Sequence, residues 1–359
     1  MNGTPAKKKL ICSLRGLASV ILVIACAFLI HWVILLLSGK SPARIYFILF
    51  KGAFGGVYNF ARSIRWAVPL IFTALSFAVS ERCGIFNIGA EGQLYMGAFA
   101  AAWVGFTFPD LPHIALVLLA MAAAMIAGML WSMAAAWLTL RFHASVIVVT
   151  LMLNYIAILF TEYLTRYPFY VPGTLGESGS TQFVSDGARL TTLIFGTDVT
   201  TGALLALAAA AAIAFWSART VTGYECRIIG ANERFAAFSG LMVTRRKLLV
   251  FAVSGMLAGL GGAVEVLGNY GRFMVNFASG LGFDGIVVSL LAGGNPALIP
   301  VSALFMGAMN SGSISVEMFG GVPKAMTDIL MGVIVVIVTV RAIPVYIRRR
   351  PHKTAAAQK

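Results

Sequence analysis

The chain has 359 residues, of which 59% are hydrophobic and only 11% are charged, and its formal net charge is +14. Soluble proteins average about 25% charged residues, so this composition excludes an ordinary soluble domain and predicts an all-α polytopic membrane protein. Because each crossing needs about 20 apolar residues, the length allows roughly eight to ten spans in a single transmembrane domain.

The positive charges lie beside the apolar runs. Lys and Arg cluster near residues 7–9, 219–247 and 341–350, as the positive-inside rule predicts for cytoplasmic segments. We therefore expect both termini in the cytoplasm. A basic surface interleaved with aromatic side chains, which nucleic-acid binding requires, is missing from the sequence, so we expect no nucleic-acid partner.

The sequence lacks the spacings of metal and catalytic centres. Its four cysteines are at least 14 residues apart, and neither HExxH nor GxSxG occurs. Residues 280–285 match GxGxxG without the strand and helix that dinucleotide binding needs, and Gly39-Lys40-Ser41 lacks the upstream P-loop glycine. We expect no metal or cofactor on this chain, and no enzymatic activity of its own.

Apolar runs predict the helices in chain order. The predicted runs are 17–37, 66–79, 83–108, 114–140, 145–163, 202–216, 248–267, 283–292, 297–309 and 325–340. The runs at 66–79 and 83–108 are interpreted as two short helices joined by a polar segment. Residues 38–65 follow the first span and should be external, but they carry five basic side chains, so we expect part of this segment to be an amphipathic helix at the membrane interface.

The crossings total ten, with five on each side of a polar segment at 165–200. An odd number per half predicts inverted five-helix repeats, a first half at about 17–164 and a second at about 201–345. The polar segment is expected to be an extracytoplasmic loop. Inverted repeats place the substrate path at their interface, often on broken helices.

The polar stretch at 82–97 is the first such break and Gly-Gly-Asn-Pro at 293–296 is the second. Polar side chains in hydrocarbon cost free energy unless they face water or protein partners. The candidates for the substrate path are Phe86, Asn87, Glu91, Gln93, Asp284 and Asn295. Two alternatives stay open: the first stretch is a short extramembrane turn, or its polar side chains only hold the break together.

The charged loop at 219–247 is expected to be cytoplasmic and to contain a short helix. Asn232 can cap this helix and Gly240 can end it. In the next apolar run, small residues recur every four positions, including Gly255 and Gly259. Such spacing lets helix backbones approach closely, so we expect this helix to lie in the centre of the domain.

Three motifs resemble one family. Gly-Ile-Phe-Asn-Ile-Gly-Ala-Glu-Gly-Gln at 84–93, Gly-Tyr-Glu-Cys-Arg-Ile-Ile-Gly-Ala-Asn at 223–232, and the segment from Phe-Asp-Gly-Ile to Asn-Pro at 283–296 resemble permease subunits of bacterial ABC importers for branched-chain amino acids, ribose and nucleosides. The first motif resembles the nucleoside branch. The resemblance extends from about residue 68 to residue 340.

The resemblance implies a permease that is embedded in the lipids of the inner membrane and forms the path that nucleosides take across it. Its implied partners are a second permease, an extracytoplasmic substrate-binding protein and an ABC ATPase subunit that holds ATP and Mg. For nucleosides, Phe86 offers a ring on which a base can stack, and the polar candidates offer hydrogen bonds.

The family's coupling loop docks in a groove of the ATPase. The residues that match this loop are Glu225, Arg227, Gly230, Asn232, Ala236, Ala237 and Gly240. Glu233 and Phe235 depart from the Pro and Ala that are frequent in the family. The alternatives are an ABC permease for a sugar or branched-chain amino acid, an ion-coupled secondary transporter that uses Glu91 or Asp284, and a membrane assembly partner.

Overall fold

The computed structural model describes residues 25–171, 179–323, 325–333 and 336–337. Within these residues the structure is helical, and β-pairing is limited to isolated bridges such as Ser180 with Met274. The predicted helices at 17–37 and 325–340 are described only in part, and the rest of each lies outside the described residues. The predicted all-α class is confirmed.

The helices follow the predicted order. They are α1 (Ala25–Leu37), α2 (Pro42–Phe54), α3 (Val57–Arg82), α4 (Ala90–Thr107), α5 (His113–Phe142), α6 (Val146–Arg166), α7 (Gly202–Arg219), α8 (Val221–Ala231), α9 (Glu233–Phe238), α10 (Val243–Glu265), α11 (Leu281–Leu291) and α12 (Ile299–Gly320). A π-helical turn, Val266–Tyr270, continues α10. Among the described residues, six helices are long and apolar enough to cross a membrane: α3, α5, α6, α7, α10 with its π turn, and α12.

The described residues form two compact units, one from those within 53–311 and one from the chain ends, those within 1–52 and 312–359. In the unit of chain ends, the His31 ring lies 2.9 Å (Nδ1) from the Tyr46 hydroxyl and 3.0 Å (Nε2) from the Met326 carbonyl oxygen. These contacts join α1, α2 and the helical segment at 325–333. The candidate site lies in the other unit.

Helix α10 is largely buried in the unit of residues 53–311. Gly255 and Gly259 pack against Gly128 and Ala124 of α5, and Gly262 packs against the backbone of α4. A Cβ at any of the three would meet backbone atoms of the neighbouring helix. The small residues therefore allow the close helix contacts that their spacing predicts.

Three predicted boundaries were wrong. The polar stretch does not join two short helices, because α3 is continuous for 26 residues. The helix expected from residue 66 begins earlier, at Val57, so the segment 38–65 ends inside α3, while its middle forms α2, in keeping with the helix expected in this segment. Helix α12 continues to Gly320, beyond the predicted end at 309.

The early start of α3 has a physical reason. Arg62 Nε donates a hydrogen bond of 3.0 Å to Ser311 Oγ, and Arg65 pairs with Glu265 at 3.1 Å. Arg62 thus has a polar partner inside the unit, and the charge of Arg65 is compensated by Glu265, so both side chains can lie on α3.

Candidate functional site

The first break is shorter than the polar stretch at 82–97 that predicted it. Only residues 83–89 lie outside helices, and Glu91 and Gln93 belong to the first turn of α4. Asn87 is fully buried: its Oδ1 accepts a hydrogen bond from the Gly89 N–H at 2.8 Å, and its Nδ2 donates to Ser254 Oγ at 3.0 Å. Asn87 therefore closes the turn and ties the break to α10.

Helix α6 holds the break from its other side. Asn154 is buried, accepts a hydrogen bond of 2.8 Å from the Gly92 N–H and donates one of 2.9 Å to the Ile88 carbonyl. The Ile88 N–H donates to Thr150 Oγ1 at 3.2 Å. Asn154 and Thr150 were not among the predicted site residues. The signal that could have identified this part of α6 is the polar amide of Asn154 inside the apolar run 145–163.

Glu91 connects the two broken regions. It is 4% exposed, and its Oε1 accepts a hydrogen bond of 2.9 Å from the N–H of Gly280, the residue that precedes α11. The backbone of Glu91 packs against Gly282, where a Cβ would not fit. The start of α11, whose first turn carries Asp284, is thereby fixed to the start of α4. In the GxGxxG match, Gly282 and Gly285 serve helix packing, while Gly280 precedes α11 with a φ of 86°.

Two buried acceptors at the start of α4 have no hydrogen-bond partner among the described residues. They are Glu91 Oε2 and Gln93 Oε1. An unsatisfied buried polar atom costs about 1–3 kcal/mol. The region is therefore polar beyond what its own fold satisfies.

Phe86 differs from the three buried polar candidates. Its side chain is 41% exposed, and its ring stands edge-on to Phe77 with centroids 4.9 Å apart. Of the four candidates in the first break, Phe86 alone presents a large surface to a ligand or to lipid.

The second break follows α11. Gly293 and Gly294 have φ angles of 63° and 67°, which favour glycine, and the exposed Asn295 accepts a hydrogen bond of 3.2 Å from the Ala297 N–H. The break borders a cavity of about 520 Å³, whose walls also include Arg82 and Arg227. The structure thus brings Asn295 and Arg227 together.

The charged loop contains two short helices where one was predicted. Asn232 caps α9 by accepting a hydrogen bond of 3.1 Å from the Phe235 N–H, and Gly240 follows the helix with a φ of 82°. Both assignments are confirmed. The preceding helix α8 was missed, although Thr220 caps it through the Gly223 N–H at 3.1 Å.

Ion pairs attach α8 and α9 to the start of α10. Glu225 pairs with Arg246, and Glu233 pairs with Lys247 at 2.6 Å. Arg227 instead donates a hydrogen bond of 2.7 Å to the Ser217 carbonyl at the end of α7. The charged side chains of this loop thus mostly hold the loop itself in place.

The outer side of α9 is apolar. Phe238 is 92% exposed and Phe235 is 61% exposed, while Ala236 is buried and Ala237 faces outward. Two exposed aromatic rings on a helix of six residues are typical of an interaction surface.

Backbone contact joins α8 to the first break. A Cβ on Gly84 would lie 3.2 Å from the Gly230 Cα, and a Cβ on Gly230 would collide with the carbonyl oxygen of Arg82. The end of α3 and the end of α8 therefore touch without intervening side chains.

In the part of the chain that the structure describes, no three His, Cys, Asp or Glu side chains are grouped so that they could hold a metal ion.

Three relatives share at least 30% identity with this chain. The guanosine ABC transporter permease protein NupP of Bacillus subtilis is 34% identical over 85% of this chain and 88% of its own length. The glucose ABC transporter permease protein TsgB13 of Haloferax volcanii is 32% identical over 88% and 85%. The guanosine ABC transporter permease protein NupQ of Bacillus subtilis is 30% identical over 70% and 80%.

A family model described as the permease component of the branched-chain amino acid transport system matches residues 59–339. This match covers most of the chain and includes both breaks and the paired helices α8 and α9. The chain therefore belongs to this family, and it is the multi-pass membrane permease subunit of an ABC transporter, in which a separate subunit hydrolyses ATP.

Proposed function

We propose that this permease imports nucleosides and that its ATPase docks on α8 and α9. The observation that carries the coupling part of the proposal is the backbone contact between Gly84 and Gly230, and the substrate rests on the relatives. A force on α8 reaches the break directly, since no flexible side chain separates the two backbones. Movement of the ATPase would thus shift the first break and open or close the substrate path.

The residues of the coupling loop divide into three roles in this proposal. Asn232 and Gly240 set the ends of α9, while Glu225 fixes α8 to α10 through Arg246. Gly230 makes the contact with the break. The surface that enters the ATPase groove consists of Ala237 and the neighbouring rings of α9, with the buried Ala236 beneath it.

The substrate path in this proposal runs along the two breaks. Phe86 is the side chain available for stacking on a base. Asn87 is engaged by Gly89 and Ser254, so its role is to position the break. Glu91 Oε2 and Gln93 Oε1 are acceptors without partners in this conformation, and we assign them to hydrogen bonds formed when the break moves.

The second break would close the substrate path on the side of α8 and α9, the helices on which the ATPase docks. Asn295 lies beside Arg227 and Arg82 on one cavity wall, and Asp284 lies in the first turn of α11, which Glu91 holds through Gly280. Rocking of α11 relative to α4 would therefore change both breaks together.

Similarity to nucleoside permeases supports a nucleoside as the substrate of this chain. NupP and NupQ are both guanosine permeases of one organism, which supports pairing of this chain with a second, homologous permease. TsgB13, a glucose permease, is nearly as similar, so a sugar is the competing substrate. Family membership sets aside the ion-coupled alternative, since the energy source is the ATPase.

The remaining partners follow from this assignment. ATP and Mg would be held by the ATPase, and an extracytoplasmic binding protein would deliver the nucleoside to the bacterial inner membrane. The basic residues at 219–247 and near both termini support a cytoplasmic location for α8, α9 and both chain ends in this proposal.

The test is reconstitution of the complete transporter in liposomes with guanosine, glucose and leucine as separate substrates. We expect guanosine to be taken up in the presence of ATP and to stimulate ATP hydrolysis. Uptake of only glucose or only leucine would overturn the nucleoside assignment, and uptake of guanosine by the permease alone without ATP would overturn the coupling.

A further inference from the structure

A second cavity lies within the unit of residues 53–311, far from α8 and α9. Its walls include Arg65, which precedes Arg82 by seventeen residues on α3. At 1.5 Å per residue the two positions are about 26 Å apart along the helix. This distance approaches the roughly 30 Å thickness of the hydrocarbon core, so the cavity lies near the membrane face opposite α8 and α9.

A buried ion pair supports the cavity. Arg65 Nη2 lies 3.1 Å from Glu265 Oε2, and the two side chains are 12% and 2% exposed. Asn269 Nδ2 donates a hydrogen bond of 3.2 Å to the other carboxylate oxygen of Glu265. The Arg65 guanidinium also lies 4.5 Å from the Trp66 ring centroid and 5.4 Å from that of Tyr270. Buried charges held this firmly in a membrane protein typically mark a functional site.

The backbone changes its helical form at the same place. Helix α10 ends at Glu265, and Val266–Tyr270 form a π-helical turn, which Gly271 ends with a φ of 65°. Turns of this type are rare and occur frequently at functional sites. Here the turn carries Asn269 and Tyr270, which both line the cavity.

The cavity has the chemistry of a site for a small uncharged polar molecule. Its volume is about 220 Å³, and its walls are formed by Arg62, Arg65, Trp66, Asp198, Asn269 and Tyr270. The two guanidinium charges are balanced by the carboxylates of Asp198 and Glu265. Asn269 Oδ1 is buried without a hydrogen-bond partner, so an acceptor is available to a ligand.

We propose that this cavity is the receiving site for the nucleoside on the extracytoplasmic side of the permease, an inference that rests on the proposed function. Asp198 accepts hydrogen bonds from the ribose hydroxyls, and the Trp66 and Tyr270 rings border the base. Because the charges of the site already balance, a nucleoside monophosphate brings uncompensated negative charge and binds more weakly.

The test is binding of labelled guanosine to the detergent-solubilised complex of permease and ATPase, without the binding protein, so that no other subunit contributes a nucleoside site. We expect Asp198→Asn and Trp66→Phe each to raise the dissociation constant about fivefold to tenfold, as expected for one lost polar or stacking contact. Asp198→Glu should recover most of the affinity, because it restores the carboxylate.

The matched controls are Asp186→Asn and Trp103→Phe. Asp186 lies in the same polar segment with a fully exposed side chain, and Trp103 is a partly exposed tryptophan of α4; neither borders the cavity. Both controls should bind guanosine within twofold of the unchanged complex. Retention of the ATPase by each variant on an affinity column shows that its membrane domain is folded.

Failure of this inference can be separated from failure of the proposed function. If the complete transporter takes up guanosine but the two cavity variants bind it as the unchanged complex does, the receiving site is overturned and the function stands. If guanosine is not taken up at all, the proposed function fails. Guanosine monophosphate that binds as tightly as guanosine would also overturn the site.

Discussion

The backbones of Gly84 and Gly230 touch: a Cβ on Gly84 would lie 3.2 Å from the Gly230 Cα. One residue belongs to the break between α3 and α4, and the other lies near the end of α8. In the proposed function, this contact connects the helices on which the ATPase docks with the first break.

Gly230→Ala should uncouple the transporter. The added methyl group meets the carbonyl oxygen of Arg82, so α8 must move away from the break. We expect substrate-stimulated ATP hydrolysis in liposomes to fall at least about fivefold, while the ATPase still co-purifies.

Gly332→Ala is the control, because no atom of the described residues lies within 4 Å of its added Cβ. Normal stimulation in Gly230→Ala would show that the contact does not transmit the movement.

Phe238→Ser should weaken docking of the ATPase. The side chain is 92% exposed on α9, so the substitution removes apolar surface from the interface without disturbing the fold. Loss of one buried aromatic contact costs roughly 2 kcal/mol, and we expect recovery of the ATPase in pull-down to drop severalfold.

The comparison variant is Phe195→Ser, whose ring is 99% exposed in the polar segment. It should retain the ATPase fully. Equal recovery with both variants would exclude α9 as the docking surface.

Glu225→Arg and Arg246→Glu should each impair coupling, because each places two like charges side by side where an ion pair now fixes α8 to α10. The double variant restores opposite charges. We expect it to recover substrate-stimulated ATP hydrolysis beyond the sum of the single effects. Strictly additive losses would show that the pair has no role in holding α8.

Asn154→Leu should destabilise the first break. It leaves the Gly92 N–H and the Ile88 carbonyl without their side-chain partners, at a cost of roughly 2–4 kcal/mol. The thermal unfolding temperature in detergent should fall clearly. Thr150→Val, which removes one hydrogen bond to the Ile88 N–H, should cause a smaller decrease, and the reverse order would contradict the assigned role of Asn154.

The sequence by itself was sufficient for the all-α class and for most of the long helices, although it missed α8. Apolar runs of membrane length predict helices because the hydrocarbon core forces each backbone to satisfy its own hydrogen bonds. The small residues at 255 and 259 predicted a closely packed helix, and Asn232 and Gly240 predicted the ends of α9. Each of these signals is local: a propensity, a period or a cap is contained within a few neighbouring residues.

The tertiary structure alone decided which side chains form a site. The sequence did not show that the basic Arg65 belongs to a largely buried helix, because its partner, Glu265, lies two hundred residues away. Asn87 suggested a substrate contact, but Ser254 of α10 occupies its amide. Gly84 and Gly230 belong to separate motifs whose contact neither motif predicts. Such partners are set by helix packing across the unit, and local periodicity contains no information about which distant residue will lie opposite.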